Sequence, residues 1–275
     1  MPKLVFKFLF FLFLFFIIVF SGFPFYYAII SSFKVGSEIF EPTLWIGNFD
    51  FTNYRALFQQ QNFFGVILNS IITATGTVLL SLLAGVTASY ALGRLHFRGR
   101  TTLLLTILGV SMFPQIAVLS GLYFLIQTLG LFNHWLGLSL SYLIFTLPFT
   151  VWTLTSFMKS IPKELEESAV IDGAKPYQIV FKILFPVLVP AVVTTGLLAF
   201  IAAWNEFLFA LTFTINEKSR TIPVAISMFT GNSEYELPFG ILMAANVVVT
   251  VPVVLIVLIF QRHIISGISS GAVKG

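Results

Sequence analysis

The charged residues divide the chain into long charge-free stretches. No Lys, Arg, Asp or Glu occurs between Lys7 and Lys34, Arg55 and Arg94, Arg100 and Lys159, Lys182 and Glu206, or Glu236 and Arg262. A charge near the centre of an inserted helix costs at least about 2.5 kcal/mol, so these stretches indicate membrane-spanning helices. The third stretch, residues 101–158, is long enough for two crossings of about 20 residues each. The polar residues available for a connection between them are Gln127, Gly130, Asn133 and His134.

This pattern predicts six transmembrane helices. We place them at about 5–30, 63–92, 102–126, 137–158, 186–214 and 239–260. The first could instead be a cleaved signal peptide, because Lys3 and Lys7 precede the apolar run and Ser21 and Gly22 are small. The apolar run continues to Ile30, well beyond the roughly 7 to 15 residues of a signal-peptide core. An uncleaved membrane anchor is therefore favoured.

The composition excludes a soluble globular protein. Of the 275 residues, 57% are hydrophobic and 9% are charged, against roughly 25% charged residues in a typical soluble domain. One core of this size cannot bury so much apolar area, so lipid must solvate the rest. We predict an all-α integral membrane protein with a single transmembrane domain over residues 1–275. The absence of Cys excludes disulfides, thiolate metal sites and thiol nucleophiles.

Basic residues are divided unevenly between the two sides of the predicted helices. The side that holds both termini receives eleven of the fifteen, namely Lys3, Lys7, Arg94, Arg98, Arg100, Lys159, Lys163, Lys175, Lys182, Arg262 and Lys274. The other side receives Lys34, Arg55, Lys218 and Arg220. Because Lys and Arg are enriched in cytoplasmic loops, both termini are predicted to be cytoplasmic. The basic residues form no continuous run, so the net charge of +4 does not indicate nucleic-acid binding.

Patterns typical of catalysis or metal binding do not occur in the sequence. There is no Gly-Lys dipeptide, which excludes a phosphate-binding P-loop. His96, His134 and His263 lie in separate loops or at helix ends, without the spacing of metal ligands. No His lies inside a predicted helix, which argues against an intramembrane serine protease. We therefore predict no catalytic residue, no metal site and no cofactor bound by this chain.

One segment departs from the membrane pattern. Residues 159–185 hold eight of the 26 charged residues and lie on the predicted cytoplasmic side. Pro162 suits a first helical turn, and acidic residues favour the N-terminal end of a helix. The acidic residues placed there are Glu164, Glu166 and Glu167. Gly173 is placed to end this helix in a left-handed cap and Pro176 to begin another, so we predict a helix–turn–helix, called the elbow below.

The turn of the elbow carries small residues that would let a partner approach the backbone closely. They are Ser168, Ala169, Gly173 and Ala174, with Asp172 available for a polar contact. A loop that is merely solvated is the alternative. The sequence E-S-A-V-I-D-G-A from Glu167 to Ala174, followed by Pro186 and Pro190, resembles the EAA signature of the permease subunits of ATP-binding-cassette importers. Ser168 stands in place of the usual Ala, which keeps a small side chain.

This resemblance implies the type I importer permease fold. It also implies that the elbow is a coupling helix that docks on an ATPase subunit. The residues expected to make this contact are Glu167, Ser168, Ala169, Asp172, Gly173, Ala174 and Pro186.

Two further segments resemble the maltose-type MalG branch of carbohydrate permeases. They are A-W-N-E-F-L-F-A-L from Ala203 to Leu211 and the C-terminal segment from Phe260 to Gly275. In that branch such tails insert between the two ATPase subunits, which makes residues 261–275 a second expected contact. The tail residues expected to take part are Gly271, Val273, Lys274 and Gly275. The alternative is a frayed terminus.

Four polar residues are candidates for the substrate path or its external mouth. Twenty helical residues from the cytoplasmic end of the fifth span cover about 30 Å, which places Glu206 at the opposite interface, where it should meet water. Glu206 and Asn205 are therefore expected at the external mouth or against a binding protein, and an interfacial anchor beside Trp204 is the alternative. Asn69 and Asn246 lie deeper and are candidate sugar contacts, although interhelical hydrogen bonds are the commoner use of such residues.

Small and kinking residues also mark the predicted helices. Ser81, Gly85 and Ser89 form a stripe of small residues, which predicts close helix packing. Pro114, Pro148 and Pro252 interrupt three other predicted helices and predict kinks.

The resemblance implies the membrane subunit of an ATP-driven, binding-protein-dependent importer in the cytoplasmic membrane of a bacterium or archaeon. A second, MalF-like permease, two ATPase subunits that use ATP and Mg²⁺, and an external solute-binding protein would complete it. The Trp204 segment and the tail are most similar to trehalose, maltose or glucosylglycerol systems, so a disaccharide or related glycoside is the expected substrate. An importer of another solute, such as an amino acid or phosphate, is one alternative. A secondary transporter or channel is another, although no buried carboxylate or His is predicted mid-span.

Overall fold

All regular secondary structure described in this protein is helical. The computed structural model describes residues 2–45, 47–60, 62–229 and 238–272, and no strand occurs among them. The α-helices are α1 Pro2–Ser32, α2 Thr52–Gln60, α3 Phe63–Arg94, α4 Arg100–Val110, α5 Gln115–Thr128, α6 Trp135–Ser160, α7 Glu164–Ile171, α8 Pro176–Gln178, α9 Phe185–Trp204, α10 Leu208–Phe213, α11 Ile222–Ser227 and α12 Phe239–Ala272. Short 3₁₀ segments cover Gly36–Phe40 and Glu217–Ser219, and a π-helical turn covers Ile179–Leu184. The predicted all-α class is confirmed.

Within the part of the chain that the structure describes, five helices are long and apolar enough to cross a membrane. They are Lys3–Ser32, Phe63–Arg94, Trp135–Ser160, Pro176–Trp204 and Phe239–Arg262. A sixth crossing would require α4 and α5 together, but this pair is bent by 94° at the break between them. The break ends at Pro114, whose ring disfavours a helical conformation in the preceding residue. The helix predicted at 102–126 is therefore two helices, and the interruption predicted at Pro114 is a complete break and not only a kink.

Two further predicted helices have different ends. The fifth begins at Pro176 and stops at Trp204, where residues 205–207 separate it from α10. The sixth does not stop at residue 260, because α12 continues without interruption to Ala272. A basic residue such as Arg262 marks a membrane interface without ending a helix, since the hydrogen bonds of a helix lie within its own backbone.

The first of two compact units comprises Met1–Phe64 and Ile226–Pro252. Its loop after α1 is held by the buried Asn53, whose Nδ2 donates to the carbonyl oxygens of Ser32 at 2.9 Å and Lys34 at 2.8 Å. Most of α1 presents large exposed side chains, chiefly Phe, Leu and Ile. This is the surface expected of a helix that contacts lipid or other membrane helices.

The second unit comprises Gly65–Ala225 and Val253–Gly275, and it contains a close contact between α3 and α6. Three glycines of α3 face this contact, namely Gly76 against Trp135 and Ser139, Gly85 against Thr150, and Gly93 against Met158. A Cβ at any of them would lie 2.5–2.9 Å from these side chains. Two hydrogen bonds cross the contact, from Ser139 Oγ to the carbonyl of Thr73 at 3.0 Å and between the hydroxyls of Ser81 and Thr150 at 2.9 Å. The predicted close packing at Ser81 and Gly85 is confirmed.

An apolar core lies where the elbow meets the long helices of the second unit. Its buried members are Val86, Leu154, Met158, Ile161, Ala169, Ile179, Val180, Leu184, Leu188, Ala191 and Val192. Apart from Ile161, which follows the end of α6, these residues come from α3, α6, α7, α9 and the π-helical turn. The elbow is therefore folded against the membrane-spanning helices and is not a separate, solvated loop.

Replacing Gly85 with Ala should destabilise the second unit. The new methyl group would lie 2.5 Å from Cγ2 of Thr150, a β-branched side chain that cannot easily move aside. We expect a loss of about 1–3 kcal/mol in the free energy of unfolding. Gly109→Ala in α4 is the matched control, because no atom lies within 4 Å of its added Cβ. The measurement is the melting temperature of the detergent-solubilised protein, and equal values for the two variants would contradict the predicted contact.

Candidate functional site

The elbow has the predicted helix–turn–helix structure. Helix α7 ends at Ile171, and Gly173 has φ +79°. The N–H of Gly173 donates to the carbonyl of Val170 at 3.0 Å, and the N–H of Ala174 donates to the carbonyl of Ala169 at 2.9 Å. These two bonds form a Schellman cap, and glycine adopts its left-handed conformation without strain. The turn is therefore fixed by the chain itself.

Helix α7 has an inner and an outer face. Ala169 is buried in the apolar core, so its expected place on the surface is wrong, and Ala174 is half-buried. The remaining expected contact residues of the turn, Glu167, Ser168, Asp172 and Gly173, are exposed. Val170 is also exposed, and Ile171 is 85% exposed. Sequence reasoning missed these two residues because it looked for small side chains, whereas an exposed apolar pair is the stronger signal of a protein contact.

The second helix of the elbow continues directly into the fifth membrane helix. The continuous helix runs from Pro176 to Trp204 and contains 29 residues. Its start is capped by Gln178, whose Oε1 accepts a hydrogen bond from the N–H of Lys175 at 2.8 Å. A displacement of the turn is therefore transmitted to the membrane helix without an intervening loop.

Pro186 shapes this helix and does not lie at the turn. In the π-helical turn just before it, the N–H of Phe185 donates to the carbonyl of Val180, five residues back. Pro186 has no N–H with which to continue the α-helical hydrogen bonds, which accounts for the wider turn. Pro186 lies twelve positions after Ala174, or about 18 Å along a helix. The structure therefore does not bring Pro186 together with the other expected contact residues.

The side chain of Arg94 joins the elbow to α3. The side chain of Arg94, the last residue of α3, is 6% exposed. Its Nη2 donates to the carbonyl of Ile161 at 2.7 Å, and its Nε lies 2.5 Å from Oε1 of Glu166 in the first turn of α7. In the sequence, Arg94 is only one of eleven basic residues assigned to the predicted cytoplasmic side. No local sequence pattern connects Arg94 with Glu166, because the two residues are far apart in the chain.

Glu206 lies at the break between α9 and α10. The residue is 6% exposed, its Oε1 accepts from the N–H of Phe209 at 2.8 Å, and its Oε2 accepts from the N–H of Ala210 at 3.1 Å. The carboxylate thus caps the first turn of α10, where free N–H groups carry partial positive charge. The prediction that Glu206 meets water is wrong, because the break directs its side chain inward beside the buried Tyr142.

The residues on either side of Glu206 are exposed. Asn205 is exposed, and its Nδ2 donates to the carbonyl of Ile201 at 2.8 Å. Phe207 is also exposed. A polar amide and an aromatic ring therefore flank the buried carboxylate at an interruption of the helix.

The other two path candidates have different surroundings. Asn69 is half-buried, and its Nδ2 donates to the carbonyls of Lys218 at 2.8 Å and Arg220 at 3.1 Å. It therefore holds the segment between α10 and α11. Asn69 was considered either as a sugar contact or as a partner in hydrogen bonds within the protein, and hydrogen bonds within the protein are observed. Asn246 is exposed and belongs to the first unit.

The chain matches a known protein family over most of its length. The family described as "Binding-protein-dependent transport system inner membrane component" matches residues 85–270, which is more than half of the sequence and includes the elbow and Glu206. The chain belongs to this family of transport permeases. The resemblance inferred from the EAA-like segment is confirmed.

Curated relatives resemble the permease over nearly its whole length. The trehalose transport system permease protein SugB of Mycobacterium tuberculosis is 38% identical over 268 residues, covering 91% of this chain and 97% of SugB. The trehalose/maltose transport system permease protein MalG of Thermococcus litoralis is 40% identical over 259 residues, covering 92% and 91%. The sulfoquinovosyl glycerol transport system permease protein SmoH of Agrobacterium fabrum is 37% identical over 255 residues, covering 92% and 89%.

Solved structures show the same fold. A chain from the crystal structure of a bacterial ABC transporter involved in alginate import matches with a TM-score of 0.82 at 21% identity, covering 95% of the permease and 97% of that chain. A second structure of a bacterial alginate ABC transporter, in complex with a pentasaccharide-bound periplasmic protein, matches with a TM-score of 0.67 at 17% identity. At this identity the likeness establishes the type I importer permease fold and nothing further.

The C-terminal candidates are only partly described. Gly271 lies in the helical backbone of α12. Val273, Lys274 and Gly275 lie outside the described residues. The expected contact of the tail with ATPase subunits stays a prediction.

Removing the carboxylate of Glu206 should destabilise the permease. Glu206→Ala leaves the N–H groups of Phe209 and Ala210 without their acceptor, which should lower the free energy of unfolding by about 1–3 kcal/mol. Glu206→Gln keeps one acceptor oxygen and should cost less. Glu217→Ala, which removes an exposed carboxylate from the following loop, is the control. Thermal unfolding in detergent measures the effect, and a Glu206→Ala variant as stable as Glu217→Ala would show that the cap is unimportant.

Proposed function

We propose that this permease is the membrane subunit of an ATP-driven importer for a disaccharide or related glycoside. The observation that carries the proposal is the 37–40% identity, over at least 91% of the chain, with permeases named for trehalose, maltose and sulfoquinovosyl glycerol transport. Substrate class is not fixed by the fold alone. Similarity that extends through the whole chain, and the agreement of three relatives on glycosides, favour a sugar over another solute.

The elbow is the surface proposed to receive the ATPase subunit. Its outer face combines the exposed apolar pair Val170 and Ile171 with the exposed polar residues Glu167 and Asp172. An apolar centre with a polar surround is the usual anatomy of a protein interface. ATP hydrolysis would take place on two partner ATPase subunits, and the permease itself would bind no cofactor.

The proposed complex contains further subunits within the membrane and outside the cell. A second, MalF-like permease would share the translocation path, and an external solute-binding protein would deliver the sugar. The eleven-to-four division of basic residues supports a multi-pass protein of a bacterial or archaeal cytoplasmic membrane, with the elbow and both termini in the cytoplasm. Extensive exposed apolar surface supports contact with lipid and with the second permease.

The substrate path is proposed to pass the break between α9 and α10. Irregular backbone at membrane depth is tolerated where it is buried in protein or lines a water-filled cavity. The amide of Asn205 can exchange hydrogen bonds with sugar hydroxyls, and the ring of Phe207 offers an apolar face. Glu206 would hold this pair in position by capping α10 and would not itself contact the sugar.

Transport by the assembled complex tests the proposed function. The permease, its second permease and the two ATPase subunits would be reconstituted in vesicles with the binding protein and ATP. Uptake of radiolabelled trehalose or maltose that requires both ATP and the binding protein is the expected result. ATP-dependent uptake of an amino acid or phosphate, with no uptake of either sugar, would contradict the proposed substrate class.

Replacing Ile171 with Ser should weaken docking of the ATPase subunits without changing the fold. Ile171 is 85% exposed, so its loss removes apolar area from the proposed contact and little from the core. Burial of an isoleucine side chain is worth roughly 1.5–3 kcal/mol, or about a tenfold or larger change in affinity. Ile215→Ser is the matched control, because Ile215 is 68% exposed and lies in the loop after α10. Co-purification of ATPase subunits with each variant measures docking, and equal recovery would contradict the role of Ile171.

A further inference from the structure

We propose that Arg94 is a positioning residue that couples the elbow to α3, so that force applied to the elbow by the ATPase subunits reaches the α3–α6 pair. The proposal rests on the proposed function, because it requires the elbow to be the segment on which the ATPase subunits act. It assigns the coupling to one side chain of α3 and one carboxylate of α7.

The guanidinium of Arg94 contacts two parts of the elbow at once. Its Nη2 donates to the carbonyl of Ile161, where α6 ends, and its Nε pairs with Glu166 in the first turn of α7. One planar group thus links the ends of two helices to the end of a third. Arginine suits this task because its donors are fixed in one rigid fork.

The ion pair differs from the other charges of α7 in its burial. Glu166 has a side chain only 16% exposed, whereas Glu164 and Glu167 are exposed. Solvated ion pairs contribute little because water screens them. A buried pair behaves differently, because removal of one partner leaves the other charge without compensation. The Arg94–Glu166 contact is therefore one that the folded protein keeps closed.

The Arg94–Glu166 contact lies on the face of α7 opposite the proposed ATPase contact, so it is placed to pass force from the ATPase subunit to α3. Ile171 lies on the outer face of α7, while Glu166 and Ala169 lie on its inner face. The methyl group of Ala169 makes a non-directional contact, which resists compression and separates easily under tension. The ion pair is held by attraction between opposite charges in a poorly solvated place and resists separation, so it can transmit a pull as well as a push.

The receiving helix is itself fixed to a neighbour. One residue before Arg94, Gly93 lies so close to α6 that an added Cβ would be 2.8 Å from Cγ of Met158. Further along, Gly85 makes the same kind of contact with Thr150. A displacement that enters α3 at Arg94 is therefore delivered to α3 and α6 together. Without the pair, α7 would remain attached chiefly by its two chain ends and its apolar contact.

A double cysteine variant tests the coupling by breaking and restoring the link. The native chain has no Cys, so Arg94→Cys with Glu166→Cys introduces its only two thiols. In the reconstituted complex, sugar transported per ATP hydrolysed should fall by at least about fivefold, the lower end of typical coupling between sites, while the ATPase subunits still co-purify. Bridging the two thiols with bifunctional thiosulfonates of graded length should restore the ratio, and a reductant should abolish it again.

Matched variants separate coupling from general loss of charge. Arg98→Gln and Glu164→Gln remove exposed charges close in sequence to Arg94 and Glu166, and both should keep the wild-type ratio. If the double cysteine variant does not assemble, Glu166→Gln carries the test. It keeps an oxygen acceptor for Arg94, and its ratio should fall more than that of Glu164→Gln.

Two results would overturn the role of Arg94 while leaving the proposed function intact. One is a wild-type ratio of sugar to ATP in the unbridged double variant, or in Glu166→Gln where that variant carries the test. The other is failure of every bridging reagent to restore the ratio although both cysteines have reacted. Absence of ATP-driven sugar uptake in the wild-type complex would instead overturn the proposed function, and the coupling proposal with it.

Discussion

The close approach of α3 to α6 is the constraint on which the second unit depends. Within a bilayer, apolar side chains gain little by leaving lipid for protein, so helices associate through dense packing and a few hydrogen bonds. Gly76, Gly85 and Gly93 remove the side chains that would keep the two backbones apart. The hydroxyls of Ser81 and Thr150 then meet at 2.9 Å within the contact. Alanine would be favoured over glycine at each position of an isolated helix, so these glycines are explained by packing and not by helix stability.

The elbow inverts the usual arrangement of a surface helix. Its charged Glu166 is directed inward, while the apolar Val170 and Ile171 are exposed. A solitary helix in water would lose stability by this arrangement, because it buries charge and exposes apolar area. The arrangement becomes favourable when a cation such as Arg94 is supplied from inside and an apolar partner surface from outside. The inversion is thus the arrangement that the proposed docking of α7 on a partner subunit requires.

The helices of the membrane region could be predicted from charge-free stretches, because a charge near the centre of a membrane-spanning helix is costly whatever the rest of the fold. Charge counting alone could not show that the kink predicted at Pro114 is a full break, and it could not detect the break beside Glu206, since an interruption of a helix changes no charge count. The depth of Glu206 was then calculated for a straight, unbroken helix, and this calculation placed its side chain in water. The sixth helix was likewise predicted at 239–260, within the charge-free stretch before Arg262, although α12 continues to Ala272.

The turn of the elbow was predictable because its determinants are local. Gly173 provides the left-handed conformation within a few residues of the helix that it ends. The partner of Glu166 was not predictable, because Arg94 is distant in sequence and pairs with it only after α3, α6 and α7 have packed together. The burial of Ala169 could not be predicted either, since a side chain of that size suits a surface and a core equally well. Long-range contacts, and not local patterns, decide these positions.

The continuous helix from Pro176 to Trp204 sets a geometric relation between its two ends. Its 29 residues span about 43 Å at 1.5 Å per residue, with the Gly173 turn just before it and the Glu206 break just after it. Both neighbouring segments are non-helical and can absorb a change in direction more readily than the helix, whose own bends are limited to the π-helical turn and the prolines that follow it. If this helix tilts about a point within the bilayer, its two ends therefore move in opposite directions. A small inclination at the elbow would reposition Asn205 at the far side of the membrane without any rearrangement of side chains between them.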